Sequence, residues 1–170
     1  YGAQAAGGVR GERAPGLRGH DAAPDADEQV GAERLLELAD LLNQTRTIAV
    51  LGIKTEAQAS QPAFYVPSYL QSAGFQIIPV PVYYPDATRI LGQQVYRRLV
   101  DIPIDVDLVN VFRRSQDVPP HVEDILAKMP KAVWLQSGIR NQAVAETLAR
   151  AGIKVIQDRC LMVDHRSLRK

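Results

Sequence analysis

Five short apolar runs in this chain each end on residues that could hold an anion or a flat ring. The run 47–53 delivers Gly52, Ile53 and Lys54. The run 75–84 delivers Pro81, Val82, Tyr83 and Tyr84, and the run 107–113 delivers Phe112, Arg113 and Arg114. The run 132–138 ends on Gln136, Ser137 and Gly138, with Ile139 next, and the run 153–159 ends on Asp158 and Arg159, with Cys160 next. Lysine and arginine pair with phosphate oxygens, and helix N-termini add aligned N–H donors. Cations, small residues and aromatics gathered at one rim suit a ligand that carries phosphates and a flat ring.

Other chemistries lack their residues. The dinucleotide fingerprint G-x-G-x-x-G and the Walker pattern are both absent, and no acidic residue ends the second run to hold a ribose. NAD binding and ATP hydrolysis therefore lose weight. His20, His121 and His165 have no paired acid or nucleophile beside them, so no catalytic residue is expected. Asp105 and Asp107 share one face of a strand start, but two carboxylates without a third ligand do not make a metal site, and no metal is expected. Gly52 suits either a tight turn or a close ligand approach. Cys160 is the one thiol; Arg159 beside it could favour a thiolate, and a buried packing role is the alternative. Trp134, inside its apolar run, reads as core.

The elements that must position these residues follow from two periods. AERLLELADLLNQ has leucines at helical spacing. The five apolar runs read as strands, and most of them are separated by helical patterns. These are a stretch through SYLQSAG stopped by Gly74, PPHVEDILAKM at 119–129 with prolines in its first turn, and NQAVAETLARAG at 141–152 with Asn141 as N-cap. Strands alternating with helices mean βαβ units and a parallel sheet. The fold class is α/β, a three-layer Rossmann-like fold with a five-stranded parallel sheet. The expected strand order is 3-2-1-4-5, with the flavodoxin-like 2-1-3-4-5 as the alternative. Pro79 and Pro81 disfavour a fully paired central position for the second strand.

The chain of 170 residues allows one domain with some residues to spare. Residues 1–30, rich in glycine and alanine and poor in large apolar side chains, read as a flexible N-terminal tail. Residues 31–170 form the domain. Twenty basic against nineteen acidic residues leave +1, which gives no support to a nucleic-acid or membrane-surface protein. One cysteine excludes a disulfide framework. No apolar run approaches the ~18 residues of a membrane span. A cytoplasmic location is expected, with a small-molecule ligand, no nucleic acid and no membrane. A protein partner stays open and unidentified.

The stretches TRTIAVLGI, SYLQSAGFQIIPV, LGQQVY, DIPIDVDLVNVFRR, KAVWLQSGIRN and AGIKVIQDRCLMVDHRSL carry a resemblance over residues 33–168. They resemble the stand-alone bacterial CoA-binding proteins, single-domain relatives of the CoA-binding domain of succinyl-CoA synthetase. The resemblance implies coenzyme A, or an acyl-CoA, held across the strand ends. It puts Gly52 to Lys54, Ser60, Pro62 and the following helix start near the phosphates, and Pro81 to Tyr84 beside the adenosine. Phe112 to Arg114 would line the same side, and Gln136 to Ile139 would lie along the ligand. The family's R-P-S-Y-R-like stretch reads Gln61-Pro62-Ala63-Phe64-Tyr65 here, without its basic residue and hydroxyl. Pro67 then implies a helix that starts late or is kinked. The related synthetases also use a phosphohistidine domain and a nucleotide-binding domain, so binding without catalysis by this chain alone is expected. The alternatives are an oxidoreductase or transferase using another nucleotide cofactor, and a subunit that supplies a CoA site to a separate ligase.

Overall fold

The computed structural model describes residues 25–169. Residues 1–24, most of the expected tail, lie outside them. The first helix, α1 (Ala26–Gln44), starts ahead of the expected boundary at 31. Asp25 caps it, its carboxylate accepting from the Glu28 N–H at 2.8 Å.

The chain continues through β1 (Thr47–Leu51), α2 (Pro62–Ser72) and β2 (Gln76–Val80). A long connection holds a small ribbon, β3 (Arg89–Ile90) and β4 (Gln93–Gln94). Then come β5 (Leu108–Val111), α3 (Val122–Lys128), β6 (Ala132–Leu135), α4 (Gln142–Arg150), β7 (Lys154–Ile156) and α5 (Leu161–Leu168). The five long strands form one parallel sheet, buried on both faces as parallel sheets require. One face carries Ile48, Val50, Leu108 and Trp134 against α1, α2 and α5. The other carries Ala49, Leu51, Val109 and Leu135 against α3 and α4. This is the expected three-layer arrangement. No described helix is long and apolar enough to cross a membrane.

The strand order corrects the expectation. The sheet runs β2-β1-β5-β6-β7, which is 2-1-3-4-5 counted over the five parallel strands, not 3-2-1-4-5. The reason lies at β2. Order 3-2-1-4-5 would put β2 inside the sheet, where Pro79 would leave a gap in the ladder. As an edge strand β2 tolerates that proline. Its outer side is met instead by the long connection, the Tyr96 N–H donating to the Pro79 carbonyl at 3.0 Å. The connection then crosses to the other side of β1, so β1 lies between β2 and β5.

The late start expected for helix α2 is a second correction. It starts at Pro62 and runs unbroken to Ser72, with Pro67 inside it. Pro67 has no N–H to return to the carbonyl of Ala63, four residues back. That carbonyl accepts the N–H of Lys54 instead, at 3.1 Å. The missing helical bond is replaced by one that fastens the loop after β1 to the helix.

Candidate functional site

In a sheet of this order the chain goes from β1 to β2 on one side and then crosses over to β5 on the other. A crevice opens between the carboxyl ends of β1 and β5. A cleft of about 450 Å³ lies there. Lys54 and Pro62 line one wall, Phe112, Arg113 and Arg114 the second, and Ser137, Gly138 and Ile139 the third. Gln61, Ala63, Ser115 and Gln116 complete it. Gln61 and Ala63 belong to the stretch already set against the family's, whereas sequence reasoning missed Ser115 and Gln116 because nothing in their types separates them from ordinary loop residues.

Gly52 lies beneath the cleft. Its φ is +87°, and a Cβ built there would stand 2.3 Å from the Phe112 carbonyl oxygen. On either side main-chain bonds hold it, Gly52 N–H to Val80 carbonyl at 2.9 Å and Phe112 N–H to Leu51 carbonyl at 2.8 Å. A tight turn is present at this glycine: three strand exits crowd together, and only a residue without a side chain passes between them.

The cations differ in how they are held. Arg114 pairs with Asp117 at 2.9 Å. The Lys54 ammonium donates to the Gln61 side-chain oxygen, so the glutamine in the place of the family's basic residue steers the lysine. Arg113 donates through Nε to His121 Nε2 at 3.3 Å, and its guanidinium stands 6.0 Å from the Tyr83 ring centroid. Burial pushes the His121 pKa down, and the Arg113 charge lowers it further against the opposing pull of Asp124 and Asp117. A neutral His121 can accept from Arg113. Among the described residues no carboxylate forms an ion pair with Lys54 or Arg113. His121, read from sequence as a bystander, is a neighbour of the site because the turn at 115–121 folds back on the strand exit.

The other sequence candidates differ in exposure and placement. Tyr83 is 68% exposed and stands over Arg113 at the rim, whereas Tyr84 is half-buried with φ +66° and Val82 packs against the core. Ile53, Pro81 and Gln136 are buried, and Ser60 is exposed without lining the cleft. Gln136 turns inward: its side-chain oxygen accepts from Asn110 Nδ2 at 3.2 Å and from the Leu161 N–H at 3.3 Å. The Asn110 Oδ1 atom beside it is buried without a partner. Cys160 is half-buried against the α1, α2 and α5 side of the core, and it does not line the cleft. Trp134 is fully buried, its indole N–H donating to the Arg159 carbonyl at 2.9 Å.

Gly138 offers its N–H to Asp158, whose carboxylate accepts it at 2.6 Å and pairs with Arg140 at 3.5 Å. The end of β6 is thereby fixed to the end of β7. Asp107 lies at the opposite end of the sheet, occupied by the N–H groups of Arg46 and Thr47 and by Lys131. Among the described residues no three metal-ligating side chains come together.

The family model described as "CoA binding domain" matches residues 46–166. A Bacillus subtilis protein named uncharacterized protein YneT is 33% identical over 129 residues, covering 76% of this chain and 92% of its own. A Thermus thermophilus structure, cell-free ID.343, is 40% identical with a TM-score of 0.73, covering 79% of this chain and 98% of that one. A hypothetical protein from Pyrococcus horikoshii is 26% identical with a TM-score of 0.71, over 79% of this chain and 91% of that one. With the family match spanning most of the sheet and all three walls of the cleft, the chain belongs to the CoA-binding domain family.

Proposed function

We propose that this chain binds coenzyme A in the cleft at the carboxyl ends of β1, β5 and β6, and that it does so without performing chemistry on its own. The observation that carries the reading is the pair Lys54 and Arg113, two cations at one cleft with no carboxylate of the described residues paired to either. Charge-assisted hydrogen bonds to phosphate are stronger than neutral ones, and a cation not already spent on a carboxylate can make them. Exposed Tyr83 offers a flat face beside Arg113 for the nucleoside end. The donor set therefore fits both parts of the ligand. Lys54 and Arg113 would hold phosphate and Tyr83 would flank the ring, while Gly138 and Ile139 would border the arm. An acyl-CoA would use the same contacts.

Isothermal titration with coenzyme A, acetyl-CoA, NAD and ATP tests the reading. Saturable binding of coenzyme A or acetyl-CoA, tighter than either competitor, is expected. Binding of NAD with no heat from either CoA species would overturn it.

A further inference from the structure

We propose that Arg97 is a positioning residue for the nucleoside end of the ligand, an inference that rests on the coenzyme A reading. Arg97 lies far from the cleft in sequence terms, in the long connection after β4. Its guanidinium donates to four main-chain carbonyls of one loop: Tyr83 at 3.1 Å, Tyr84 at 2.7 Å, Pro85 at 3.3 Å and Ala87 at 3.0 Å. Carbonyl oxygens aimed at one point repel each other unless a cation stands among them. A planar guanidinium with five donors meets that demand, and a single ammonium meets less of it.

The loop needs such a clamp. Tyr84 sits at φ +66°, in the left-handed region that a bulky side chain adopts at an energetic cost. One local bond, Ala87 N–H to the Tyr84 carbonyl at 3.1 Å, closes the turn. Arg97 is itself anchored, because the preceding residue, Tyr96, bonds to Pro79 of β2. Its neighbour Arg98 turns the other way and pairs with Asp101 at 3.1 Å. The Tyr96 main chain and the Arg97 side chain thus join the connection that crosses the sheet to strand β2 and to the loop after it.

What the clamp holds out is Tyr83. Its ring is exposed and stands over Arg113. Arg113 is held independently by His121, so release of the loop would displace the ring and leave the cation in place. Arg97 would then govern the flat-ring end of the ligand and leave the phosphate and pantetheine end untouched. All four of its described contacts are to carbonyls, so its charge serves the loop.

The test compares coenzyme A with 4′-phosphopantetheine, which lacks the nucleoside, on wild type, Arg97→Ala and Arg97→Lys. For Arg97→Ala the affinity for coenzyme A should fall about tenfold or more while that for phosphopantetheine stays within about twofold. Arg97→Lys should recover part of the loss. Equal losses for both ligands, or no loss for coenzyme A, would overturn the proposal. Hydrogen exchange on the unliganded proteins gives a second readout that needs no ligand. The Ala87 amide should exchange faster in Arg97→Ala with the β1 and β5 amides unchanged, and an unchanged Ala87 amide would also overturn it. If wild type binds neither ligand, the coenzyme A reading fails, and the exchange result still decides whether Arg97 holds the loop.

Discussion

The two ends of the sheet are built from similar groups and put them to different use. At the amino ends, Asp107 accepts from the N–H groups of Arg46 and Thr47 at 2.9 and 3.1 Å and pairs with Lys131 at 3.2 Å. Main-chain bonds then run across that end, from Gln76 to Arg46, from Ala132 to Asp107 and from Lys154 to Lys131. At the carboxyl ends, Lys54 and Arg113 lean on neutral partners, and their charges face the cleft. The backbone shows the same contrast. Left-handed residues near the amino ends, Gly74, Met129 and Gly152, terminate helices. Those at the carboxyl ends, Gly52, Tyr84, Gly138 and Asp158, follow strands and shape the rim. One end is satisfied internally and supports stability; the other, beside its Arg114–Asp117 and Arg140–Asp158 pairs, leaves the Lys54 and Arg113 charges and its bends available to something outside the chain.

The sharpest way to break this contrast is Gly52→Ala. A Cβ would meet the Phe112 carbonyl in a backbone conformation that already resists a side chain, so a loss of about 4 kcal/mol or more is expected from urea unfolding. Gly138→Ala is the matched control. It has a similar φ of +82° but nothing within 4 Å of the added carbon, and it should cost only about 1–2 kcal/mol.

Arg113→Ala should separate binding from stability. A charge-assisted hydrogen bond is worth about 1.5–3 kcal/mol, so titration calorimetry should show coenzyme A affinity lower by roughly tenfold to a hundredfold. The unfolding free energy should move by no more than about 1 kcal/mol, the value of its hydrogen bond to His121. Unaltered affinity would remove Arg113 from the phosphate site.

Asp107→Asn should do the reverse, at a smaller scale. It should lower stability by about 1 kcal/mol at neutral pH and leave coenzyme A affinity unchanged. Burial alone would raise the Asp107 pKa, but the N–H groups of Arg46 and Thr47 and the Lys131 charge together hold it below the ordinary range. A carboxylate with a depressed folded pKa contributes fully above the unfolded value, about 3.9, and less as the pH falls through the folded one. The gap between wild type and variant should therefore close on acidification. A gap that persists at low pH would show that the carboxylate charge is not what matters there.

The layers were legible because apolar β-branched runs and amphipathic helices alternate, and each buries one kind of face. The edge position of β2 was also legible, in Pro79, although the expected strand order did not use it. The side of β1 on which the third strand lands was not legible, since connection length says nothing about direction. At the site, Lys54 and Arg113 announced themselves by type and by their place after a strand. His121 and Arg97 did not. Their partners, the Arg113 guanidinium and four main-chain carbonyls, are brought close only by folding, and a carbonyl has no residue type to read. Pro67 misled for a related reason. It signals a lost helical bond, but the replacement partner, the Lys54 N–H, comes from the loop before the helix.

That replacement bond has an entropic consequence. With Lys54 tied to Ala63, Thr55 and Gln58 bonded to each other, and Gln61 holding the Lys54 ammonium, the segment 54–63 is a closed ring. Fixing the backbone of one residue costs roughly 1–2 kcal/mol in conformational freedom. Here that freedom is given up when the chain folds, before any ligand arrives. A ligand entering the cleft meets a preorganised wall, and its binding free energy is not reduced by having to order one. A proline that looks like a defect in α2 is in this sense part of what keeps the wall rigid.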